Sequence, residues 1–170
     1  MRFDDGLKHV LAHEGGFVEH PNDPGGATNL GVTKETWERW VGHGVSVDAI
    51  RALTVADVTP VYREKYWDRA KCGALPVGID YCVFDTAVNS GPGRAVKFLQ
   101  EVVGSTPDGV IGPLTLRAVH VMNPRDVIDR YCGLRLEFLA ELPTWPTFGR
   151  GWRRRVDEVR RTAQEMLAAS

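Results

Sequence analysis

Apolar residues recur at helical spacing along most of this sequence, and one stretch breaks the pattern: HEGGFVEHPNDPGGATNLGVT, from His13 to Thr33. Before it, Leu7, Val10 and Leu11 share a face while Lys8 and His9 point away, so residues 3–13 read as an amphipathic helix that Gly15-Gly16 stops. Within it the turn formers Pro21-Asn22-Asp23-Pro24-Gly25-Gly26 stand between short apolar runs, which predicts a small irregular hairpin over 17–32. The expected architecture is therefore mainly α, with that hairpin placed directly after the first helix.

Helix signals dominate from Thr33 onward. Thr33 is placed to N-cap KETWERWV, whose Trp37, Trp40 and Val41 share a face and which should end near Gly42. Ser46 precedes VDAIRAL in the same way, and Thr54 with Asp57 forms a capping-box pattern before VADVTPVYREKYW, where Pro60 predicts a kink or a late helix start. IDYCVFDTAVN carries Ile79, Cys82, Val83, Thr86 and Ala87 on one face, and RAVKFLQEVVG resumes after the break at Ser90-Gly91-Pro92-Gly93. Pro113 and Pro124 each stand just inside a helix start. A last helix from about residue 148 places Trp152, Val156, Val159, Ala163 and Met166 on a packing stripe, while Arg150, Arg153, Arg154, Arg155, Arg160 and Arg161 make its polar face basic. Such a face is usually solvated; attraction to an anionic surface is the alternative.

No long linker or repeat divides the chain, so residues 1–170 read as one compact domain with a 1–74 half carrying the turn-rich block and a helical 75–170 half. A net charge of −1 gives no global attraction to nucleic acid or anionic membranes, and no apolar run suits a membrane-spanning helix. Asp4, Asp5, Lys8 and His9 interrupt the segment a secretory signal would need, so accumulation in the cytoplasm and a separate release step are expected. Cys72, Cys82 and Cys132 are odd in number and lack CxxC spacing, which favours buried free thiols over a disulfide framework or zinc knuckle.

The chemistry concentrates in the turn-rich block. Glu14 closes an amphipathic helix before a double glycine, where the negative end of the helix dipole favours the neutral form of a carboxyl and substrate has room to approach. Asp23 and Thr28 follow on the segment that folds back, a carboxylate and a hydroxyl suited to hold a water; Asn-Asp-Pro-Gly is also good turn chemistry in its own right. His9 and His13 are spaced i,i+4, but Glu14 is followed by Gly15, Gly16 and Phe17, so the HExxH pattern of zinc proteases fails. No cofactor or metal is expected.

HEGGFVEHPNDPGGATNLGVT resembles the EGG-aromatic signature and D-PGG-TN-GVT run of glycoside hydrolase family 108, phage endolysins and secretion-associated muramidases. YREKYWDRAKCGALP and IDYCVFDTAVNSGPGRAVKFLQ resemble the segment that follows, and DGVIGPLT with FGRGWRRRV resembles the family's predicted peptidoglycan-binding C-terminal region. The resemblance covers nearly the whole chain. It implies a lysozyme-like helical fold and cleavage of the β-1,4 bond between N-acetylmuramic acid and N-acetylglucosamine, with Glu14 as general acid. Such a substrate calls for aromatic faces and amides, for which Tyr66, Trp67 and Asn89 are the candidates, Trp67 being equally suited to the core and Asn89 to a helix C-cap. Glu14, Asp23 and Thr28 are also similar to the Glu-Asp-Thr set of phage lysozymes, although the Asp-to-Thr gap is one residue shorter here and Phe17 stands where the family often has Tyr. An endolysin-type protein of this kind is expected to be monomeric and to reach the wall through a holin. A lytic transglycosylase using the same Glu14, a non-catalytic peptidoglycan-binding or secretion-helper protein, and a zinc amidase are the alternatives.

Overall fold

Phe3, Leu7 and Val10, at 2%, 4% and 0% exposure, form the buried stripe of the first helix, α1, Arg2–His13. Asp4 and Asp5 in its first turn complement the positive end of the helix dipole. The computed structural model describes residues 2–19 and 26–170. By its internal contacts the chain divides into two units, Leu7–Lys65 and Met1–Gly6 with Tyr66–Ser170.

In the Leu7–Lys65 unit the turn-rich block forms a three-stranded antiparallel sheet in the order β1-β2-β3, with β1 Val18–Glu19, β2 Ala27–Asn29 and β3 Val32–Thr33. The expected hairpin thus has a third strand. Val18 pairs with Thr28, and Asn29 pairs with Val32 across a two-residue turn, Leu30-Gly31, in which both residues have positive φ, 50° and 75°. That is the type I′ geometry whose twist matches the strands it joins. Asn29 is 7% exposed, and its Nδ2 donates to the carbonyls of Ile50 at 3.0 Å and Arg51 at 3.1 Å, which fastens the sheet to the end of α3, Val47–Arg51.

The expected caps form. Thr33 accepts from the Thr36 amide and starts α2, Lys34–Val41, which ends at Gly42 with φ 83°. Ser46 starts α3 by accepting from the Ala49 amide. The Thr54–Asp57 box starts α4, Val55–Tyr62, and its bonds hold the Asp57 carboxyl below the usual range. Pro60 neither delays this start nor breaks the helix: it sits exposed near the end of α4, and the helix then widens into a π turn, Arg63–Asp68. The missing N–H at Pro60 falls where the helix is about to change its bonding pattern.

In the other unit a 3₁₀ turn, Cys72–Ala74, leads to α5, Ile79–Ser90, whose residues from Ile79 to Ala87 are all buried. Around α5 pack α6, Pro92–Val103; α8, Pro124–Ala140; and α9, Trp145–Ala168; α7, Pro113–His120, lies against α6 and α8. Each of α6, α7, α8 and α9 opens with proline in its first turn. Phe3 and Trp67 both meet the Phe84 ring on α5, with centroids 5.6 and 5.3 Å away. Cys72, Cys82 and Cys132 are buried free thiols.

One buried cluster is charged. Asp85, at 0% exposure, takes bonds from Arg135 Nη1 on α8 at 2.7 Å and Arg155 Nη2 on α9 at 3.0 Å. Burial pushes the Asp85 carboxyl up, but the two guanidinium groups more than offset it and the net direction is down. Arg155 therefore leaves the basic outer face assigned to it from the sequence, because its carboxylate partner lies inside.

Candidate active site

The Glu14 amide donates to the carbonyls of Val10 and Leu11, at 3.2 Å each, so Glu14 is held on the last turn of α1. Its side chain is half-buried. Next to it Gly15 and Gly16 are exposed, and among the described residues the position of a Cβ on either meets nothing within 4 Å. The acid thus stands at the end of a helix, beside two exposed glycines.

The Leu30-Gly31 turn forms the wall on the other side. A Cβ on Gly31 would lie 3.0 Å from both Cγ and Oε2 of Glu14 and would overlap the Tyr62 hydroxyl, so only glycine fits. Tyr62, 1% exposed at the end of α4, donates to the Leu30 carbonyl at 2.8 Å. This bond offsets part of the ~1–2 kcal/mol that a left-handed backbone costs a residue with a Cβ. The sequence of this unit folds so that a helix end, a tight turn and a tyrosine converge on one carboxylate.

Thr28 occupies the middle of β2, half-buried, two residues before that turn, while its neighbours Ala27 and Asn29 are buried on the opposite face. The alternation of the strand sends the Thr28 side chain away from the core. Asp23, expected to share the water with Thr28, lies outside the described residues. Phe17 is half-buried under the Arg51 guanidinium, 4.7 Å from its ring centroid, and Arg51 is in turn paired with Asp48 at 2.8 Å.

The three sugar-binding candidates belong to the other unit. Tyr66 is half-buried on the π turn. Trp67 is 5% exposed and edge-on to Phe3 at 5.5 Å and to Phe84 at 5.3 Å; an indole enclosed in this way packs the core and offers no face to a sugar. Asn89 is exposed, with its Oδ1 accepting from Arg135 Nη2 at 3.2 Å, and the helix C-cap is Gly91 and not Asn89. Among the described residues no group of three or more His, Cys, Asp or Glu is arranged to hold a metal ion.

Sequence reasoning singled out Glu14 but not Gly31, Tyr62 or Arg51. Gly31 carried a local signal, since glycine second in a two-residue N-L-G-V turn favours type I′. Tyr62 and Arg51 carried none, because each acts on a residue more than 30 positions away.

The family model described as "Glycosyl hydrolase 108" matches residues 7–91, which include Glu14, Thr28 and the Gly31 turn. A second model, described as "Predicted Peptidoglycan domain", matches residues 94–157. The chain is similar to the solved structure of Brucella abortus SagA, with 47% identity over 97% of this chain and 95% of that one, and a TM-score of 0.86. No curated protein matches it. The chain belongs to the glycosyl hydrolase 108 family and is a glycoside hydrolase that acts on peptidoglycan.

Proposed function

We propose that the protein is an endolysin-type muramidase that hydrolyses the β-1,4 bond between N-acetylmuramic acid and N-acetylglucosamine, with Glu14 as general acid. The observation that carries this reading is the Glu14 carboxyl, seated on the end of α1 and walled by Gly31, beside the exposed Gly15-Gly16. In the reaction Glu14 gives its proton to the glycosidic oxygen as the bond from the muramic acid C1 breaks. Water forms the new bond to C1 from the opposite face; Asp23 takes its proton and the Thr28 hydroxyl orients it. A gap between the two carboxyl groups wide enough for that water would make the reaction inverting, and a narrow one retaining; the inverting course is the one proposed. Tyr66 and Asn89 are proposed to contact sugar on the 66–170 unit, Tyr66 through its half-exposed ring and Asn89 through its Nδ2.

A lytic transglycosylase is the nearest rival, since it needs only the acid and lets the sugar's own hydroxyl attack C1. Mass spectrometry of fragments released from purified peptidoglycan separates the two. Reducing muramic acid ends, one water heavier than the anhydro form, support hydrolysis. Products ending in 1,6-anhydro-muramic acid support Glu14 acting alone, release of stem peptides supports an amidase, and no release at all supports a binding or helper protein.

A further inference from the structure

α5 and α8 meet through paired side chains that repeat from one turn to the next. Cys82 on α5 faces Cys132 on α8 with the two sulfurs 3.9 Å apart. One turn further along each helix, Asp85 takes its 2.7 Å bond from Arg135. Both pairs join residues 50 positions apart, so the helices advance in step and the ion pair holds the register in which the thiols meet. On the other side of α8, the Tyr131 hydroxyl donates to the Ala95 carbonyl of α6 at 2.8 Å and fixes the helix there.

The two thiols are enclosed, at 1% and 0% exposure, and they are not alike. Cys82, hydrogen-bonded to Cys132 and buried, is pushed well above the ordinary thiol range. Cys132 is drawn down, against its own burial, by the bond from Cys82 and by the Arg135 and Arg160 guanidinium groups. The thiolate of the pair is therefore favoured on Cys132.

We propose that Cys82 and Cys132 are an oxidative modification site, which closes to an intramolecular disulfide outside the reducing cytoplasm and staples α5 to α8. A disulfide holds its sulfurs at about 2.05 Å, so the pair must approach by roughly 2 Å, a motion of the size that rotation about two Cα–Cβ bonds supplies. Peptidoglycan lies outside the cytoplasmic membrane, where disulfides form and persist. The inference rests on peptidoglycan as the substrate and not on the chemistry of Glu14.

The oxidant is itself a disulfide, the class to which envelope oxidoreductases and oxidised glutathione both belong. Cys82, uncovered when α8 opens from α5, loses its proton and attacks one oxidant sulfur, forming a mixed disulfide and releasing the other oxidant sulfur as a thiolate. The Cys132 thiolate then attacks the Cys82 sulfur and expels the remaining oxidant sulfur. Two cysteine thiols lose two electrons and two protons, and the oxidant gains them as two thiols. Because the first step needs that opening, closure is slow in the folded protein and fast during refolding.

The test refolds the full reduced chain in a buffer of oxidised and reduced glutathione, beside the same chain refolded with dithiothreitol. The expected product is lighter by two hydrogens, keeps one alkylatable thiol of three, Cys72, and yields a linked pair of peptides containing Cys82 and Cys132. Its melting temperature should rise by about 5–15 °C, an increase that dithiothreitol reverses, whereas Cys132→Ala should melt at one temperature in both buffers. Mass and thiol count are read on the parent chain, so they decide the matter even where Cys132→Ala folds poorly. Three free thiols after refolding, a glutathione adduct in place of the bond, a bond that uses Cys72, or a linked form that melts below the reduced one overturns the proposal. Failure of the parent to cleave peptidoglycan would strike at the proposed activity and leave the disulfide result standing.

Discussion

Tyr62 and Leu30 are joined by a 2.8 Å hydrogen bond from the phenol to the backbone carbonyl, and the turn it anchors is the one that walls Glu14. Tyr62→Phe should therefore leave the part-buried Leu30 carbonyl contact unmade while preserving the ring. The expected outcome is a loss of about 1 kcal/mol in stability, read from urea unfolding, with a fall in wall-lytic rate beyond what that loss explains.

Gly31→Ala is the sharper perturbation. The added methyl meets Glu14 and the Tyr62 hydroxyl, on a backbone with φ 75° that L side chains disfavour. Turbidity clearance by this variant should fall at least about tenfold, as expected when a reacting group is displaced by a fraction of an ångström to an ångström. Parental clearance rates would show that the turn does not position the acid.

The local parts of this fold were legible because their causes are local. Thr33, Ser46 and the Thr54–Asp57 box each bond to an amide or side chain three residues away, and the prolines of α7 and α8 act on their own turn. Trp67 shows the limit: a terminal aromatic on an amphipathic segment suits a sugar platform or a core equally, and only Phe3 and Phe84, distant in sequence, decide it. Arg155 was assigned to a solvated face for the same reason, since Asp85 lies 70 positions away. At the candidate site Glu14 was legible through its helix end and double glycine, whereas the wall opposite it depended on Tyr62.

The core also bears on how the chain can be divided. Phe3 and Trp67 both pack on Phe84, and Arg2 bonds the carbonyls of Leu75 at 2.8 Å and Gly73 at 3.0 Å. Residues 75–170 expressed alone lack all but Leu75 and Phe84 of this set, and should show no cooperative thermal transition by circular dichroism. A fragment that melts cooperatively and sediments with peptidoglycan would reveal two separable domains.

Stability should depend on pH through Asp80. Burial at 2% exposure raises its carboxyl from 3.8 to about 6, against the opposing pull of the Tyr81 amide, Arg2 and the Gly78 amide. The folded protein thus holds this proton more tightly than the unfolded chain, so the contribution is fully present below about pH 4 and is lost as pH rises through about 6. Asp80→Asn should melt at a higher temperature than the parent at pH 7.5, with the gap closing by pH 4. An equal gap at both pH values would contradict the assignment.

The role of Glu14 is tested most directly by Glu14→Gln on purified peptidoglycan, with released fragments weighed by mass spectrometry and folding checked by melting temperature. The amide keeps the size of the side chain and its place against Gly31 but has no proton to give. The account predicts a folded protein that still sediments with the wall, nearly complete loss of fragments, and a parent enzyme whose products end in reducing N-acetylmuramic acid. A folded Glu14→Gln protein that releases those same fragments at the parental rate would contradict it.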